Sequence, residues 1–369
     1  MRFPEFSGEW EKATLQSVAT LSKGTGISKD QLSEEGQPCI LYGELYTKYN
    51  SEIIDKIISK TDIDPEKLVR SQANDVIIPC SGESAVDIAT ARCVKQSNIL
   101  LGGDLNIIRL KGEHDGSFFA YQLNGKRKYD IAKVAQGVSV VHLYGEHLKG
   151  VKVNYPSAAE QKKISSLLAL IDQRIETQKK VIEDLKRLKY AISKRVFSEM
   201  GQHHPVVKLG QLCSIKTGKL DANAMIDNGE FPFFTCARED YRTDTYAFEG
   251  DSLLISGNGD IGIVKRYNGK FNAYQRTYVL QDFIQEIAYV QCFVEHHLPK
   301  RVLKEKNVGA MPYIVLSTLS EMPIILPPTY IQNAICKTIG AISEQINVEE
   351  KILANFELQK QYNLSMMFI

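Results

Sequence analysis

The most regular pattern in the chain is a spacing of apolar residues in alternating steps of four and three. It occurs twice, in a stretch that begins at Ile164 and in a second stretch that begins at Ile335, 171 positions later. Apolar residues at this spacing line one face of an α-helix and are typical of a coiled coil. The pattern therefore predicts two long helices that pack on each other. The seam positions are Ile164, Leu168, Ile171, Ile175, Ile182 and Leu185 in the first stretch and Ile335, Ile339, Ile342, Ile346, Leu353 and Phe356 in the second.

Polar residues interrupt the two seams at matching places. Gln178 corresponds to Glu349, and Lys189 corresponds to Lys360. A polar residue in an apolar seam disfavours other alignments of the helices, so these positions are candidate register markers. The matching register argues against the alternative that each stretch is an unrelated amphipathic helix of a bundle.

Each helix has a predicted start. Ser157 with Glu160, before the first seam, and Thr329 with Gln332, before the second, have the spacing of a capping box. The two boxes lie 172 positions apart whereas the seams lie 171 apart. The sequence does not explain this mismatch of one residue.

The segments that precede the two helices also repeat. The matched residues are Leu15, Val18, Leu21 and Gly24 with Leu209, Leu212, Ile215 and Gly218; Pro38 with Pro232; Asp75-Val-Ile-Ile with Asp251-Ser-Leu-Leu; and residues 151–156 with 322–327. The offset between the copies falls from 194 to 171 along the chain, which indicates loop deletions in the second copy. The chain is therefore predicted to run module, helix, module, helix.

The modules contain short apolar runs between turn residues, which are typical of short strands. The predicted fold is α+β: two repeated mixed, mostly β domains are joined by two long α-helices that form an antiparallel coiled coil with pseudo-twofold symmetry. The predicted segments are residues 1–156, the first domain; 157–200, the first helix; 201–328, the second domain; and 329–369, the second helix. A helix of about 40 residues is a rod of about 60 Å. A pseudo-twofold protein with such a spacer suits two half-sites on duplex DNA.

Composition limits the class of protein. The chain has 369 residues, of which 43% are hydrophobic, enough for two or more folded units. It has no run of about 18 apolar residues and no apolar stretch of a signal peptide at its N-terminus, so we expect a cytoplasmic protein. The seven cysteines contain no Cys-x-x-Cys pair, which argues against a zinc ribbon and favours reduced thiols. Because the net charge is only +1, contact with nucleic acid must depend on local Lys and Arg or on a partner.

Loops with Gly, Lys, Arg and amide side chains are the candidates for DNA contact. Phosphate contact needs Lys, Arg or backbone amides, and base reading needs bidentate donors and acceptors on rigid loops. Each candidate also has a structural interpretation: a surface turn, an ordinary hairpin, an internal salt bridge or a solvated basic face. The candidates are Lys23, Thr25, Lys29, Ser81, Glu83, Ser84, Arg92, Lys126, Arg127 and Lys128 in the first domain and Thr217, Lys219, Arg238, Arg242, Asn258, Asp260, Lys265, Tyr274, Gln275, Arg276, Lys300 and Arg301 in the second.

Four segments resemble one known family. They are Arg2-Phe-Pro-Glu-Phe-Ser-Gly-Glu-Trp10, Glu160-Gln-Lys-Lys-Ile164, Leu170-Ile-Asp-Gln-Arg-Ile-Glu-Thr-Gln-Lys179 and Met366-Met-Phe-Ile369. Together with the order domain, helix, domain, helix, they resemble the specificity subunits of type I restriction-modification systems. The chain departs from its own first copy at Ile331, which stands where Glu160 stands, and at Asn363 in the second seam.

The resemblance implies a subunit without catalytic residues that reads a bipartite target in double-stranded DNA. Each target-recognition domain reads one part, and the helices set the unread spacer and dock the modification subunits. It implies two modification subunits, which use S-adenosylmethionine to methylate adenine at N6. It also implies restriction subunits, which use ATP and Mg for translocation and cleavage. For this chain itself the resemblance implies no cofactor, no metal and no membrane contact.

Motifs for other chemistry are absent from the sequence or incomplete. Neither Asn-Pro-Pro-Tyr nor Asp-Pro-Pro-Tyr, the motifs of amino methylation, occurs, and there is no Gly-x-x-x-x-Gly-Lys-Ser/Thr phosphate loop. The glycines at 257, 259 and 262 match a dinucleotide fingerprint, but the adjoining residues 263–269 predict a strand and a turn rather than a helix. Cys292 with the histidines at 296 and 297 lacks a fourth zinc ligand. Two other functions stay open: a coiled-coil protein–protein scaffold without DNA binding, and a specificity segment detached from a fused restriction-methylation enzyme.

Overall fold

The computed structural model describes residues 2–137, 140–200, 203–237, 239, 241–305 and 313–368. These residues form two compact units. The first is Met1–Lys180 with Lys351–Ile369, and the second is Val181–Glu350. Each unit therefore combines one module with parts of both long helices. The predicted division into four segments, with each helix a segment of its own, stays a prediction. The compact units divide the chain within the two long helices, because parts of each helix pack on different modules.

The first unit consists of short strands and short helices before the first long helix. Its strands are β1 (Glu11–Thr14), β2 (Ala19–Lys23), β3 (Leu32–Ser33), β4 (Gln37–Ile40), β5 (Ile53–Ile54), β6 (Ser59–Thr61), β7 (Asp75–Pro79), β8 (Ser81–Gly82), β9 (Arg92–Val94), β10 (Leu100–Leu101), β11 (Leu105–Leu110), β12 (Val141–His142) and β13 (Lys152–Tyr155). Its helices are α1 (Leu15–Val18), α2 (Glu44–Thr47), α3 (Ala85–Ile88), α4 (Gly116–Asn124), α5 (Lys128–Val134), α6 (Gly145–Lys149) and the first part of α7 (Ala158–Met200).

The central sheet of the first unit has the strand order β2-β11-β7-β9-β5, and a second sheet has the order β10-β4-β6-β3. The middle residues of β7 are fully buried, as expected of a strand that is covered on both faces. Helix α4 packs on this sheet and supplies Phe118 and Phe119 to the main core. The same core contains Ile164 of α7 and Phe368, whose ring lies 5.2 Å from that of Phe118. The start of the first long helix and the residues at the end of the second are thus part of the core of this unit.

The second unit repeats this plan with longer strands. Its strands are β14 (Val206–Lys208), β15 (Ser214–Thr217), β16 (Phe231–Phe234), β17 (Tyr241–Thr243), β18 (Phe248–Ser256), β19 (Val264–Ala273), β20 (Thr277–Gln281) and β21 (Pro323–Ile325). Its helices are α8 (Ile287–Glu305), α9 (Leu316–Ser320), the end of α7 and the beginning of α10 (Thr329–Met366). The main sheet has the order β15-β20-β18-β19-β16-β17. Strands β15, β20, β18 and β19 take the places of β2, β11, β7 and β9.

Backbone hydrogen bonds fix the correspondence between the modules. The N–H of Gly24 donates to Leu105 O at 2.9 Å, and the N–H of Gly218 donates to Thr277 O at 3.2 Å. In both modules the next bond along this edge joins equivalent residues as well, from the N–H of residue 102 to residue 40 O and from the N–H of residue 274 to residue 234 O, each at 2.9 Å. These bonds confirm the match of Pro38 with Pro232, two residues before the accepting carbonyls.

The two glycines are required by close packing. A Cβ on Gly24 would lie 2.0 Å from Gly102 O, and a Cβ on Gly218 would lie 1.8 Å from Ala273 O. The sequence left open whether these glycines bring the backbone close to phosphate or form a plain turn. The structure shows that they bring one strand close to another.

One sequence match is shifted by a residue. Pro79 pairs with Leu105, whereas Ser256 pairs with Thr277, so the structural partner of Asp75 is Ser252 and not Asp251. A shift of one residue moves a side chain to the other face of a sheet. Asp75 and Ser252 are both buried, whereas Asp251 is half-exposed and bonds to Arg266. The match of Asp75 with Asp251 was therefore wrong.

The long helices are present and antiparallel in each unit. In the first unit α10 residues 360 and 357 lie beside α7 residues 172 and 179, with Lys360 Nζ 2.7 Å from Asp172 and Lys179 Nζ 3.6 Å from Glu357. In the second unit Lys186 bonds to Glu350 at 2.6 Å, and the later part of α7 shares a core with the earlier part of α10. All twelve seam residues are buried or half-buried. None of the helices within the described ranges combines the length and the apolarity that crossing a membrane requires.

The helix starts resolve the mismatch between the capping boxes. Gln161 Nε2 donates to Pro156 O at 2.8 Å, and Gln332 Nε2 donates to Pro327 O at 2.9 Å, so these glutamines correspond at an offset of 171. Gln332 Oε1 has no hydrogen-bond partner in the described part of the chain, so Thr329 and Gln332 do not form the predicted box. In the first helix the N–H of Glu160 donates to Ser157 Oγ at 3.4 Å, but the carboxylate of Glu160 binds Arg2, so only half of that capping box is formed.

Candidate nucleic-acid interface

One end of the central sheet carries the same frame of hydrogen bonds in both modules. In the first module the N–H of Leu143 donates to Cys80 O at 2.8 Å, and Asn106 Nδ2 donates to Leu143 O at 2.9 Å. In the second module the N–H of Ile314 donates to Gly257 O at 2.8 Å, and Tyr278 OH donates to Ile314 O at 2.9 Å. Different residues therefore hold the same backbone in place.

A second turn completes this end of the sheet. The N–H of Cys80 donates to Asp104 O at 2.7 Å, and the N–H of Gly257 donates to Arg276 O at 2.9 Å. Asp104 and Arg276 are thus equivalent. We call residues 80–84 with 102–104, and residues 257–260 with 274–276, the sheet-end loops.

The side chains on these loops differ between the modules. In the second module Gln275 and Arg276 are exposed and, with Tyr313, line an open cavity of about 390 Å³. In the first module Glu83 and Asp104 are exposed instead. The two modules therefore present different hydrogen-bonding groups on one rigid frame, which is what base reading requires.

The neighbouring strand end carries a cation in the first module only. Lys23 is the last residue of β2 and pairs with Asn106, while Thr217 holds the equivalent place in β15 opposite Tyr278. Both side chains are exposed. Lys219 lies at the same end of the sheet. The residue that follows Lys219 is Leu220, and its carbonyl oxygen accepts from the N–H of Gln275 at 2.9 Å.

Comparison with known proteins identifies the family. A family model described as the type I restriction modification DNA specificity domain matches residues 7–187 and 204–358. The chain belongs to this family. It is a type I specificity subunit with two target-recognition domains, as the four resembling segments indicated, and its α+β fold is confirmed.

Individual relatives agree with the family. The specificity subunit of the type I restriction enzyme EcoDI from Escherichia coli is 34% identical over 140 residues, which are 38% of this chain and 31% of that protein. The MjaVIII specificity subunit from Methanocaldococcus jannaschii is 22% identical over a match that covers 100% of this chain and 93% of that protein. The crystal structure of a type I S subunit from M. genitalium matches with a TM-score of 0.68 and 18% identity, covering 100% of this chain and 99% of that one. At that identity the match supports the fold alone.

Several residues of the specificity subunit that were predicted to contact DNA have structural partners within their own module. Arg92 is 9% exposed and donates to Leu45 O and Tyr49 O, so the interior role that the sequence left open is the one found. Burial lowers the pKa of its guanidinium. Thr25 Oγ1 accepts from the N–H of Val69 at 2.9 Å.

Two further candidates hold local backbone. Ser84 caps α3, since its hydroxyl accepts from the N–H of Asp87 at 3.1 Å. Arg242 donates to the carbonyl oxygens of Gly229 and Glu230, which directly precede β16, the strand that pairs with its own. Arg238 lies outside the described residues.

The basic runs do not lie on the sheet-end loops: Lys126 and Arg127 lie in the turn before α5, Lys128 begins α5, and Lys300 and Arg301 lie in α8. Arg127 pairs with Asp130 at 3.4 Å, Lys300 lies over the ring of Tyr190 at 5.5 Å, and Arg301 pairs with Glu305 at 2.9 Å. These contacts fit a solvated, locally paired face. The other predicted residues divide between the sheet-end loops and other surfaces: Ser81, Glu83, Asn258, Asp260, Tyr274, Gln275 and Arg276 lie on the loops, Lys265 lies in β19, and Lys29, Lys126 and Lys128 lie on other surface segments.

The residues proposed as a poor zinc cluster take part in packing. The ring of His297 lies 4.2 Å from that of Phe293 and 5.4 Å from that of Phe197. Burial lowers the pKa of His297 to about 4, with smaller contributions from His296 and a nearby lysine. The described residues contain no group of three or more His, Cys, Asp or Glu arranged to hold a metal ion.

Sequence reasoning missed Asp104 and Tyr313. Asp104 follows two glycines and precedes a buried strand. It aligns with Arg276 only at an offset of 172 residues between the copies, and this offset holds only in this part of the chain. Tyr313 had no match that distinguished it from other exposed tyrosines.

Proposed function

We propose that this specificity subunit reads a bipartite target in double-stranded DNA through the sheet-end loops, with each module reading one half. The observation that carries the proposal is the repeated frame: identical backbone bonds hold different exposed side chains at one end of each central sheet. A fixed frame with variable side chains gives sequence discrimination without changing the fold.

Charge supports a division of labour between loops and partners. Lys23, Lys219 and Arg276 supply cations at the sheet ends, but the net charge of the chain is only +1. Since phosphate contacts provide most non-specific affinity, we expect much of the binding strength to come from partner subunits. The specificity subunit then contributes discrimination more than affinity.

We further propose that the chain has no catalytic group and docks two modification subunits. These subunits bind S-adenosylmethionine and methylate adenine, and restriction subunits bring ATP and Mg. The helices offer docking surfaces, because Leu170 and Leu188 on α7 and Leu358 on α10 are about half-exposed or more, although the seams face inward.

Methylation by the reconstituted complex tests the function. The chain is co-expressed with its modification subunit, and methyl transfer to duplex DNA is followed by mapping of the modified adenines. We expect no transfer by the isolated chain, and transfer by the complex at one bipartite sequence. Transfer by the isolated chain, or methylation without sequence preference, would contradict the proposal.

Exchange of one module tests independent reading. Replacing residues 201–328 with the corresponding module of another family member should change one half-target and preserve the other. Simultaneous change of both halves would show that the modules do not read separately.

A matched insertion tests whether the helices set the spacer. Seven residues are inserted in α7 between Lys179 and Lys186, and seven in α10 between Glu350 and Glu357, so that both ion pairs and both seams are kept. The added length is about 10 Å, or about three base pairs, so the preferred spacer should grow by that amount while both half-targets stay the same. An insertion in α7 alone is the control that disrupts the pairing. An unchanged spacer in the active doubly extended complex would mean that something other than the helices sets the distance.

A further inference from the structure

The two modules carry opposite charges at one equivalent position. Asp104 and Arg276 occupy the same place in the frame, and both side chains are exposed. No ion pair involves either side chain within the described ranges, so neither charge is neutralised by an internal partner there. An exposed, unneutralised charge on a rigid loop is available to a ligand.

The surroundings of the two residues also differ in charge. Near Asp104, Ser81 Oγ donates to its carboxylate at 3.5 Å, and Lys23 ends the adjacent strand. At the equivalent places the second module has Asn258 and Thr217, which are neutral. In the first module the cation, Lys23, therefore lies beside the position held by a carboxylate, whereas in the second module that position is itself cationic and Lys219 lies at the same sheet end.

The backbone at Asp104 is left-handed. Its φ is +58°, in a region where Asn and Asp are the most frequent residues other than Gly. Asn suits this backbone as well as Asp does, so the loop does not need a carboxylate for its shape. A carboxylate there is also repelled by phosphates, which makes a role in general DNA affinity unfavourable.

On the basis of the proposed function, we propose that Asp104 and Arg276 are equivalent specificity-determining residues with complementary choices. Arg276 selects guanine by donating to O6 and N7, and Asp104 selects cytosine by accepting from its N4 amino group. Each contact specifies one base of the half-target that its own module reads.

Selection from a library of duplexes with random half-targets tests this assignment. The complex with modification subunits is used, and enriched sequences are compared between variants. Asp104→Ala should reduce the preference for cytosine at one position about 5- to 100-fold and leave the other half-target unchanged. Asp104→Asn keeps a residue suited to the left-handed backbone and should move the preference towards adenine. Arg276→Ala should relax one guanine in the other half-target.

Asp282 supplies a matched control. Asp282 is also an exposed aspartate with a left-handed backbone, φ +56°. It follows β20, whereas Arg276 precedes β20, so the two residues lie at opposite ends of this strand. Asp282→Asn should leave every preference unchanged. Thermal unfolding of each variant confirms that loss of selection does not reflect loss of structure.

The outcomes separate this inference from the proposed function. If the wild-type complex enriches no sequence, the proposed function is wrong. If it enriches a bipartite target whose cytosine preference survives Asp104→Ala, only the assignment of Asp104 is wrong. A uniform rise in affinity for all duplexes, with unchanged preferences, would also overturn the assignment, because Asp104 would then act only through its charge.

Discussion

Lys360 and Lys189 hold matching positions in the two long helices, but they differ in what surrounds them. Lys360 Nζ lies 2.6 Å from Glu52 and 2.7 Å from Asp172, and all three side chains are less than one-fifth exposed. Lys189 Nζ lies 2.7 Å from one carboxylate, Glu295, and both side chains are about one-quarter exposed. One sequence marker therefore forms a buried network in the first unit and a more exposed single pair in the second.

The network in the first unit extends beyond the lysine. Asp172 Oδ2 accepts from Tyr121 OH at 2.7 Å and from Ser51 Oγ at 3.0 Å. Burial alone lowers the pKa of Lys360, but Glu52 and Asp172 outweigh it, so the pKa is raised. At the position of Asp172 the second helix has Ser343, which bonds to its own helix. The difference teaches that matching polar positions in the two seams contribute to stability according to their neighbours.

The largest effect should come from removing the buried lysine. Lys360→Met is expected to destabilise the first unit by about 3–5 kcal/mol, because two carboxylates would stay buried without a cation. Lys189→Met should cost about 1 kcal/mol or less. Urea unfolding gives the free energies, and hydrogen exchange measured on peptides assigns each loss to a unit. Adding Glu52→Gln and Asp172→Asn to Lys360→Met should recover part of the loss. Equal costs at the two lysines would remove the distinction between the units.

The pair at the start of α7 should give the next largest effect. Glu160 is 1% exposed and is bound by Arg2 at 2.7 and 2.8 Å, whereas the second helix has Ile331 at this position. Arg2→Ala should lower the free energy of unfolding, since it leaves a buried carboxylate unpaired. Glu160→Ile in the same chain should restore most of that stability, as the second module tolerates an apolar residue there. A double variant that is no more stable than Arg2→Ala would show that the site needs the ion pair itself.

Acid should weaken the second unit through His297. Its folded-state pKa of about 4 lies below the usual value of 6.5, so the unfolded chain binds a proton first as the pH falls. The stability of this unit should be full above about pH 6.5 and should decrease between pH 6.5 and 4. His297→Phe, which keeps a ring between Phe293 and Phe197, should flatten this dependence in urea unfolding at a series of pH values. The same slope in wild type and variant would assign the acid sensitivity to other groups.

The sequence predicted the helices well because the spacing of apolar residues is a local property. It also predicted the repeat, since the glycines at 24 and 218 and the prolines at 38 and 232 answer the same packing demands in both modules. It aligned Asp75 with Asp251 instead of Ser252, because a shift of one residue cannot be detected without the pairing of the strands. It left Arg92 among the DNA candidates because burial depends on distant segments that cover it. Asp104 was missed for a related reason: only bonds between separate strands make it equivalent to Arg276.

The smallest effects should come from the exposed ion pairs between the helices, where the units should not differ. Lys179 with Glu357 in the first unit and Lys186 with Glu350 in the second have side chains that are 43–56% exposed. Solvent screens such pairs, so each should contribute about 0.5 kcal/mol or less. In a double-mutant cycle, Lys186→Glu should lower the free energy of unfolding by this amount, and adding Glu350→Lys should restore it. The same exchange of charges between Lys179 and Glu357 should give the same result in the first unit. The coupling should disappear at about 1 M salt, where the screening length falls to about 3 Å. A coupling above 1 kcal/mol in only one unit would show that exposed helix pairs, and not the buried network, distinguish the two halves of the molecule.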